Sequence, residues 1–268
     1  MSKQKKSITS IKTKILTAVS ALVLILVLIL ILLSYMISKN IIEDKSKQVL
    51  ELSVKNQASQ MEAWMTESLN VFNTFKENLE TMDYTDEQIQ TLLNSYLGKS
   101  PNYPDGFYIA DSDGKVMQAD GVEYKKTISD DPVWYTEGLT RVNMAFGDVF
   151  TNEAGDEVIS ASAILRNPDK IRVIAIDVPI AHIQVIVNSF ISMDDAQAVL
   201  IDRSTMSILS RSEDSLSGSL SDDSGFLGTI GKKIDEQDYD SISLDNNIVE
   251  FREISGTNWV LVSYVPEA

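Results

Sequence analysis

The feature that most constrains this chain is a run without a charged side chain over residues 15–38, within which residues 21–33 are unbroken Ala, Leu, Ile and Val. As an α-helix rising about 1.5 Å per residue, the run reaches about 36 Å. That exceeds the roughly 30 Å hydrocarbon core of a bilayer. A cleaved export signal has a shorter apolar stretch and closes on small residues. Here Ser34-Tyr35-Met36-Ile37-Ser38-Lys39 follows, which offers no such site, so an uncleaved transmembrane helix is expected. Lys3, Lys5, Lys6, Lys12 and Lys14 precede the run with no acid among them. The positive-inside bias therefore puts residues 1–14 in the cytoplasm and everything beyond Lys39 outside.

Charge narrows the function classes. The chain carries 39 acidic against 23 basic side chains, a formal net charge of −16, with five of the lysines gathered in its first 14 residues. The exported part is therefore strongly acidic and repels nucleic-acid phosphates and anionic lipid alike. With no cysteine, neither a disulfide framework nor a thiolate metal site is possible. His182 is the only histidine, no Gly-rich phosphate loop occurs, and nothing marks a nucleophile–base pair. No enzymatic activity, metal or cofactor is expected. Asp111, Asp113 and Gly114 lack the later ligands of a calcium loop and read as a turn.

No Gly or Pro interrupts residues 39–97, and Met61, Met65, Leu69, Phe72, Phe75, Leu79 and Met82 recur three or four apart. That is the apolar stripe of a long amphipathic helix. Ile42, Val49 and Leu52 are sparser among charges, as on a stalk leaving the bilayer. Beyond Pro101 the pattern changes to short strands. FYIA (107–110), an Asp-Ser-Asp-Gly turn and KVM (115–117) make a hairpin signature. Residues 149–165 make another around Asn152-Glu153-Ala154-Gly155-Asp156. A strand at 172–178 ends at Pro179, and Ile180, Ile183, Val187 and Phe190 follow at helical spacing.

The pattern then restarts. AVLID (198–202) and SIL (207–209) echo the first hairpin, and LVSYVP (261–266) echoes IAIDVP (174–179). This reads as internal duplication of an antiparallel α/β unit. The second copy is expected to be simpler, with residues 212–231 a Ser/Asp/Gly-rich loop holding a short helix at most.

An anchor, a long helix and two similar α/β units together resemble the double Cache sensor family. SIKTKIL (10–16) looks like the cytoplasmic start of methyl-accepting chemotaxis receptors. GFYIADSDGKV (106–116), DDPVWYTEGL (130–139), VISASAIL (158–165) and VIAIDVPI (173–180) look like successive parts of the membrane-distal module. The implied fold is α+β: a long N-terminal transmembrane and stalk helix, then two stacked PAS-like antiparallel-sheet modules. The implied divisions are a cytoplasmic N-terminus (1–14), a transmembrane helix (15–38), a long stalk helix (39–98), a membrane-distal module with the ligand pocket (99–193) and a membrane-proximal module (194–268).

The resemblance implies extracytoplasmic sensing of a small molecule by a membrane-anchored receptor, first of all a chemotaxis receptor. Ligand binding would shift the long helix, through which two copies would form a homodimer. The alternatives are the sensor region of a histidine kinase or cyclic-dinucleotide enzyme, or a membrane-anchored binding protein without signalling. In the family a second transmembrane helix and a cytoplasmic coiled coil begin near residue 268, so the chain is expected to be a fragment of a longer receptor.

For the pocket, the resemblance implies Trp134, Tyr135 and Asp177, and Tyr108, Asp131 and Phe150 complete the candidate set. From residue type alone the two aromatics read as core, and Asp177 as an outward strand position. An Arg that holds a ligand carboxylate in amino-acid-binding members stands two residues before the Trp; Pro132 is there in this chain. The family's Tyr seven before the Trp is Thr127, with Tyr124 the nearest substitute. Pro132 supplies no donor for a carboxylate, and Asp130, Asp131, Asp148 and Asp177 lie close to the expected pocket. A neutral or cationic ligand, for instance an amine, is therefore expected. Arg141, seven residues past Trp134, is the one substitute fork for an anion.

Overall fold

The computed structural model describes residues 11–128, 133–140, 146–166, 170–189, 195–212, 220–222 and 224–267. The first element, α1 (Ile11–Thr81), contains near its N-terminus a stretch long and apolar enough to cross a membrane, none of it buried. The chain divides into two units: the first runs through Val49, and the second is Leu50–Pro266.

Within the second unit α1 presents the expected stripe. Met61, Met65, Phe72 and Phe75 are buried, Leu69 and Leu79 pack partly buried against the same core, and Met82 is exposed. The helix stops at Thr81, so the expectation of one helix through residue 98 is corrected. A second helix, α2 (Asp86–Tyr96), starts at a capping box in which the Thr85 hydroxyl accepts from the Gln88 amide and the Gln88 side chain accepts from the Thr85 amide. That reciprocal pair satisfies two otherwise orphaned donors, and Asp86 and Glu87 in the first turn suit the helix dipole.

Among the described residues ten strands follow, in two sheets of five. The first holds β1 (Phe107–Asp111), β2 (Val116–Met117), β3 (Phe146–Thr151), β4 (Glu157–Leu165) and β5 (Arg172–Pro179) in the order β2-β1-β5-β4-β3. The second holds β6 (Gln197–Asp202), β7 (Ser207–Arg211), β8 (Ile242–Leu244), β9 (Asn247–Glu253) and β10 (Trp259–Pro266) in the order β7-β6-β10-β9-β8. The two orders coincide strand for strand, which is the duplication seen in the sequence echoes. The echoed segments 174–179 and 261–266 lie on the two central strands. Helices α3 (Val133–Thr140) and α4 (Ile180–Ser189) belong to the first copy, and α5 (Phe226–Asp235) to the second.

The second copy repeats the five strands and, among the described residues, has one helix where the first has two. Strands β8 and β9 join through Asp245 and Asn246, both left-handed at φ 51° and 59°, the backbone a two-residue hairpin demands. Helix α5 runs past Gly231 because that glycine permits a close approach: a Cβ there would lie 2.6 Å from the Leu220 carbonyl oxygen. Leu227, Ile230 and Ile234 of α5 are buried beneath Val199, Val249, Val260 and Val262.

The opposite faces of both sheets join one core with α1. Phe107, Ile109, Ile174 and Ile176 of the first sheet and Ala198, Leu200, Ile248 and Leu261 of the second pack with Leu50, Met61, Phe72 and Phe75. Trp64 of α1 stacks on Phe146 at 5.7 Å, and Phe146 faces Trp259 of β10 at 6.4 Å.

Candidate functional site

Strand side chains alternate between faces, so the first sheet has a second face turned away from α1. On β1, Phe107 and Ile109 serve the core with α1, while Tyr108 and Ala110 join a separate cluster with Trp134, Val173 and Ala175. Asp177 follows Val173 and Ala175 at the same alternation on β5 and lies opposite Ser160 on β4.

A carboxylate so enclosed is costly unless its oxygens are satisfied, and both are. Tyr108 Oη and Ser160 Oγ donate to Asp177 Oδ1, and Lys126 Nζ donates to Oδ2. Asp177 is 5% exposed and Lys126 4%. The lysine ammonium also lies 4.5 Å from the centre of the Tyr108 ring and 5.1 Å from that of Tyr124, distances at which an aromatic face attracts a cation. Glu153 Oε2 is 3.8 Å away. The result is a primary ammonium held by one buried carboxylate, a second carboxylate at the rim and two phenol rings.

The backbone around Lys126 is pinned. Its amide donates to Gln118 Oε1 at 2.7 Å, and the next amide, of Thr127, donates to Glu153 Oε1 at 2.9 Å. Tyr124 donates its hydroxyl to Asp105 at 2.5 Å and accepts from Asn152 Nδ2 at 3.3 Å. Burial, reinforced by the Asp177 charge, pushes the Tyr108 phenol well above its ordinary pKa. Burial and the hydrogen bond to Asp105 push Tyr124 up too. Both phenols therefore stay protonated and keep donating.

Helix α3 roofs this face. The Trp134 ring meets Tyr108 edge-on at 4.8 Å and Tyr135 at 5.6 Å. Gly138 lets the helix lie against the sheet, since a Cβ there would sit 2.4 Å from Val173 Cγ1. Glu137 Oε1 accepts the Asp148 amide at 3.0 Å and ties α3 to β3.

Among the described residues no group of His, Cys, Asp or Glu could hold a metal ion. The Cache domain family (dCache_1) matches residues 36–268. The chain belongs to that family.

Solved structures agree on the Cache fold. The ligand-binding domain of the Pseudomonas fluorescens chemoreceptor CtaA, in complex with L-isoleucine, is 16% identical with a TM-score of 0.66, covering 86% of this chain and 96% of that one. The ligand-binding domain of the Campylobacter jejuni chemoreceptor Tlp3, in complex with L-valine, is 17% identical with a TM-score of 0.65, covering 85% and 95%. The ligand-binding domain of the Pseudomonas aeruginosa PAO1 chemoreceptor PctB, in complex with L-Arg, is 17% identical with a TM-score of 0.63, covering 84% and 96%. No curated protein sequence matches the chain significantly.

Of the residues singled out in the Cache sequence, Tyr108, Trp134 and Asp177 are buried together, with Tyr135 and Phe150 packed partly buried against the same cluster. Asp131 lies outside the described residues, as do Asp130 and Arg141. Asp148 is exposed. Asp177 is buried and paired with Lys126, so it is not the outward strand position that its residue type also allowed. Sequence reasoning missed Lys126, Ser160 and Glu153. The only available signal was a lysine pair beside Tyr124 in an otherwise acidic Cache module.

Proposed function

We propose that this Cache domain senses a small neutral or cationic molecule in its first module, as the extracytoplasmic part of a membrane-anchored chemotaxis receptor. The observation that carries the reading is the buried carboxylate of Asp177, set among Tyr108, Ser160, Tyr124 and Trp134 on the face away from α1. A few polar groups converging inside an aromatic enclosure is the usual make-up of a small-molecule site. The acids Asp177, Glu153 and Asp105 outnumber the one lysine among them, and that surplus disfavours anions. The amino acids bound by CtaA, Tlp3 and PctB all carry an ammonium, the group such a site suits.

Strand β1 supplies a route for the signal. Tyr108 touches Asp177, and its neighbour Phe107 stacks on Phe75 of α1 at 4.0 Å. A displacement of β1 at the site is therefore felt by α1.

A thermal-shift screen of small molecules on the full chain in nanodiscs tests this reading. A binder that stabilises the wild type by RT ln(1 + [L]/Kd) should lose its effect in Asp177→Asn and Trp134→Phe and keep it in Tyr264→Phe of the second module. The reverse pattern moves the site to the second sheet. For the anchor, protease added to spheroplasts should digest the chain beyond residue 39 and spare its first 14 residues; protection of the large part refutes the orientation.

A further inference from the structure

We infer that Lys126 is a tethered occupant of the ammonium subsite, so that an external amine enters by displacing the chain's own side chain. The inference rests on the ligand site proposed for the first module and concerns what sets its affinity and selectivity. Four observations carry it.

First, the surroundings of Lys126 Nζ are those of a recognition site for a primary ammonium: Asp177, Glu153 at 3.8 Å, and the rings of Tyr108 and Tyr124 at 4.5 and 5.1 Å. Every group that a ligand ammonium would use is already in use. Second, Asp177 keeps two further donors, Tyr108 and Ser160. The carboxylate therefore stays oriented when its cation changes.

Third, the lysine comes from outside the sheet. It stands in the irregular segment between β2 and α3, and no strand register holds it. Its backbone is fixed through Gln118 and Glu153, leaving only the flexible side-chain stem to swing. Fourth, the adjacent Lys125 is exposed, so the segment that carries Lys126 borders water.

A tethered group competes at an effective concentration on the order of mM. A ligand then binds with its intrinsic affinity reduced by the fraction of chains whose site is open. Low-affinity amines are thereby excluded. An amine that also contacts the aromatic surfaces gains enough to win, and the released lysine reports the exchange through Tyr108 on β1. Lys126 is thus a specificity-determining residue that touches Asp177 in place of ligand.

n-Butylammonium reproduces the lysine side chain beyond its α-carbon and is the probe. Its binding is measured by thermal shift and by titration on the full chain in nanodiscs, with butyrate and butanol as controls. Wild type should respond weakly. Lys126→Ala should melt at lower temperature, and n-butylammonium should restore its stability with an apparent affinity at least tenfold tighter than wild type shows. Butyrate and butanol should do nothing. Adding Asp177→Asn to Lys126→Ala should abolish the response.

Lys126→Gln keeps the stem and a donor toward Asp177 without the charge. It covers the case in which the alanine variant fails to fold, and it too should bind the probe more tightly than wild type. Equal or weaker binding in the folded variants means that the ion pair is only structural, and overturns the inference. The sensor reading would survive that result, because it stands or falls on whether screening hits respond to Trp134→Phe and Asp177→Asn.

Discussion

Asp177→Ala should destabilise the folded domain by about 3–5 kcal/mol, the usual consequence of removing one partner of a buried ion pair. The mutation strips Lys126 of its counter-ion while its side chain remains 1% exposed. It also leaves Tyr108 and Ser160 without their shared acceptor. The remaining acid, Glu153, is 3.8 Å from the ammonium and partly in water, so it compensates little. Urea unfolding of the full chain in nanodiscs, followed by tryptophan fluorescence, reads the loss. The sign of the double variant separates charge burial from packing. Lys126→Met together with Asp177→Leu replaces the pair with apolar groups, a change often neutral or even stabilising. It should recover most of the loss and give a large coupling energy in the double-mutant cycle. If Asp177→Ala unfolds like wild type, the pair is not the buried unit described.

Phe107→Ala should cost about as much, about 3–5 kcal/mol, by cavity creation. Phe107 is fully buried and its ring meets Phe72 at 6.0 Å, Phe75 at 4.0 Å, Tyr96 at 5.0 Å and Tyr103 at 5.7 Å. The four aromatic partners are themselves held by α1, α2 and the loop before β1, which limits their collapse into the space. Phe107→Leu keeps most of the volume and should cost under about 1.5 kcal/mol. The same unfolding measurement distinguishes the two. A loss below about 1 kcal/mol in the alanine variant would mean that α1 and β1 are not packed as one core.

The sequence made much of this architecture legible, for reasons that differ by element. The hairpin β1–β2 and the strands β4 and β5 could be read because apolar runs stop at Asp/Gly and Pro signals. The duplication could be read because the central strands 174–179 and 261–266 share a pattern. The break after Thr81 was written as Thr85-x-x-Gln88, a short polar signal inside a longer apolar periodicity that outweighed it. Helix α5 was obscured by its glycines, whose purpose at Gly231 is contact with Leu220 and not a turn.

At the site, the family resemblance implies Trp134 and Asp177, Tyr108 belongs to the wider candidate set, and the three side chains lie side by side in the structure. Lys126 was not reachable. In Tyr124-Lys125-Lys126 two identical side chains are adjacent, and only the tertiary course of the chain decides that Lys126 turns inward while Lys125 stays in water.

The most direct test of the central claim, that a small molecule is sensed in the first module, is amide hydrogen exchange on the full chain with and without a binder found by the screen. Slower exchange is expected in β1, β4 and β5 around residues 107–110, 158–162 and 174–177, with a change in α1 between Met61 and Phe75, where Phe75 stacks on Phe107. Strands β6 to β10 should exchange as before. Protection confined to β6–β10, with β1 and β5 unchanged, would contradict the account.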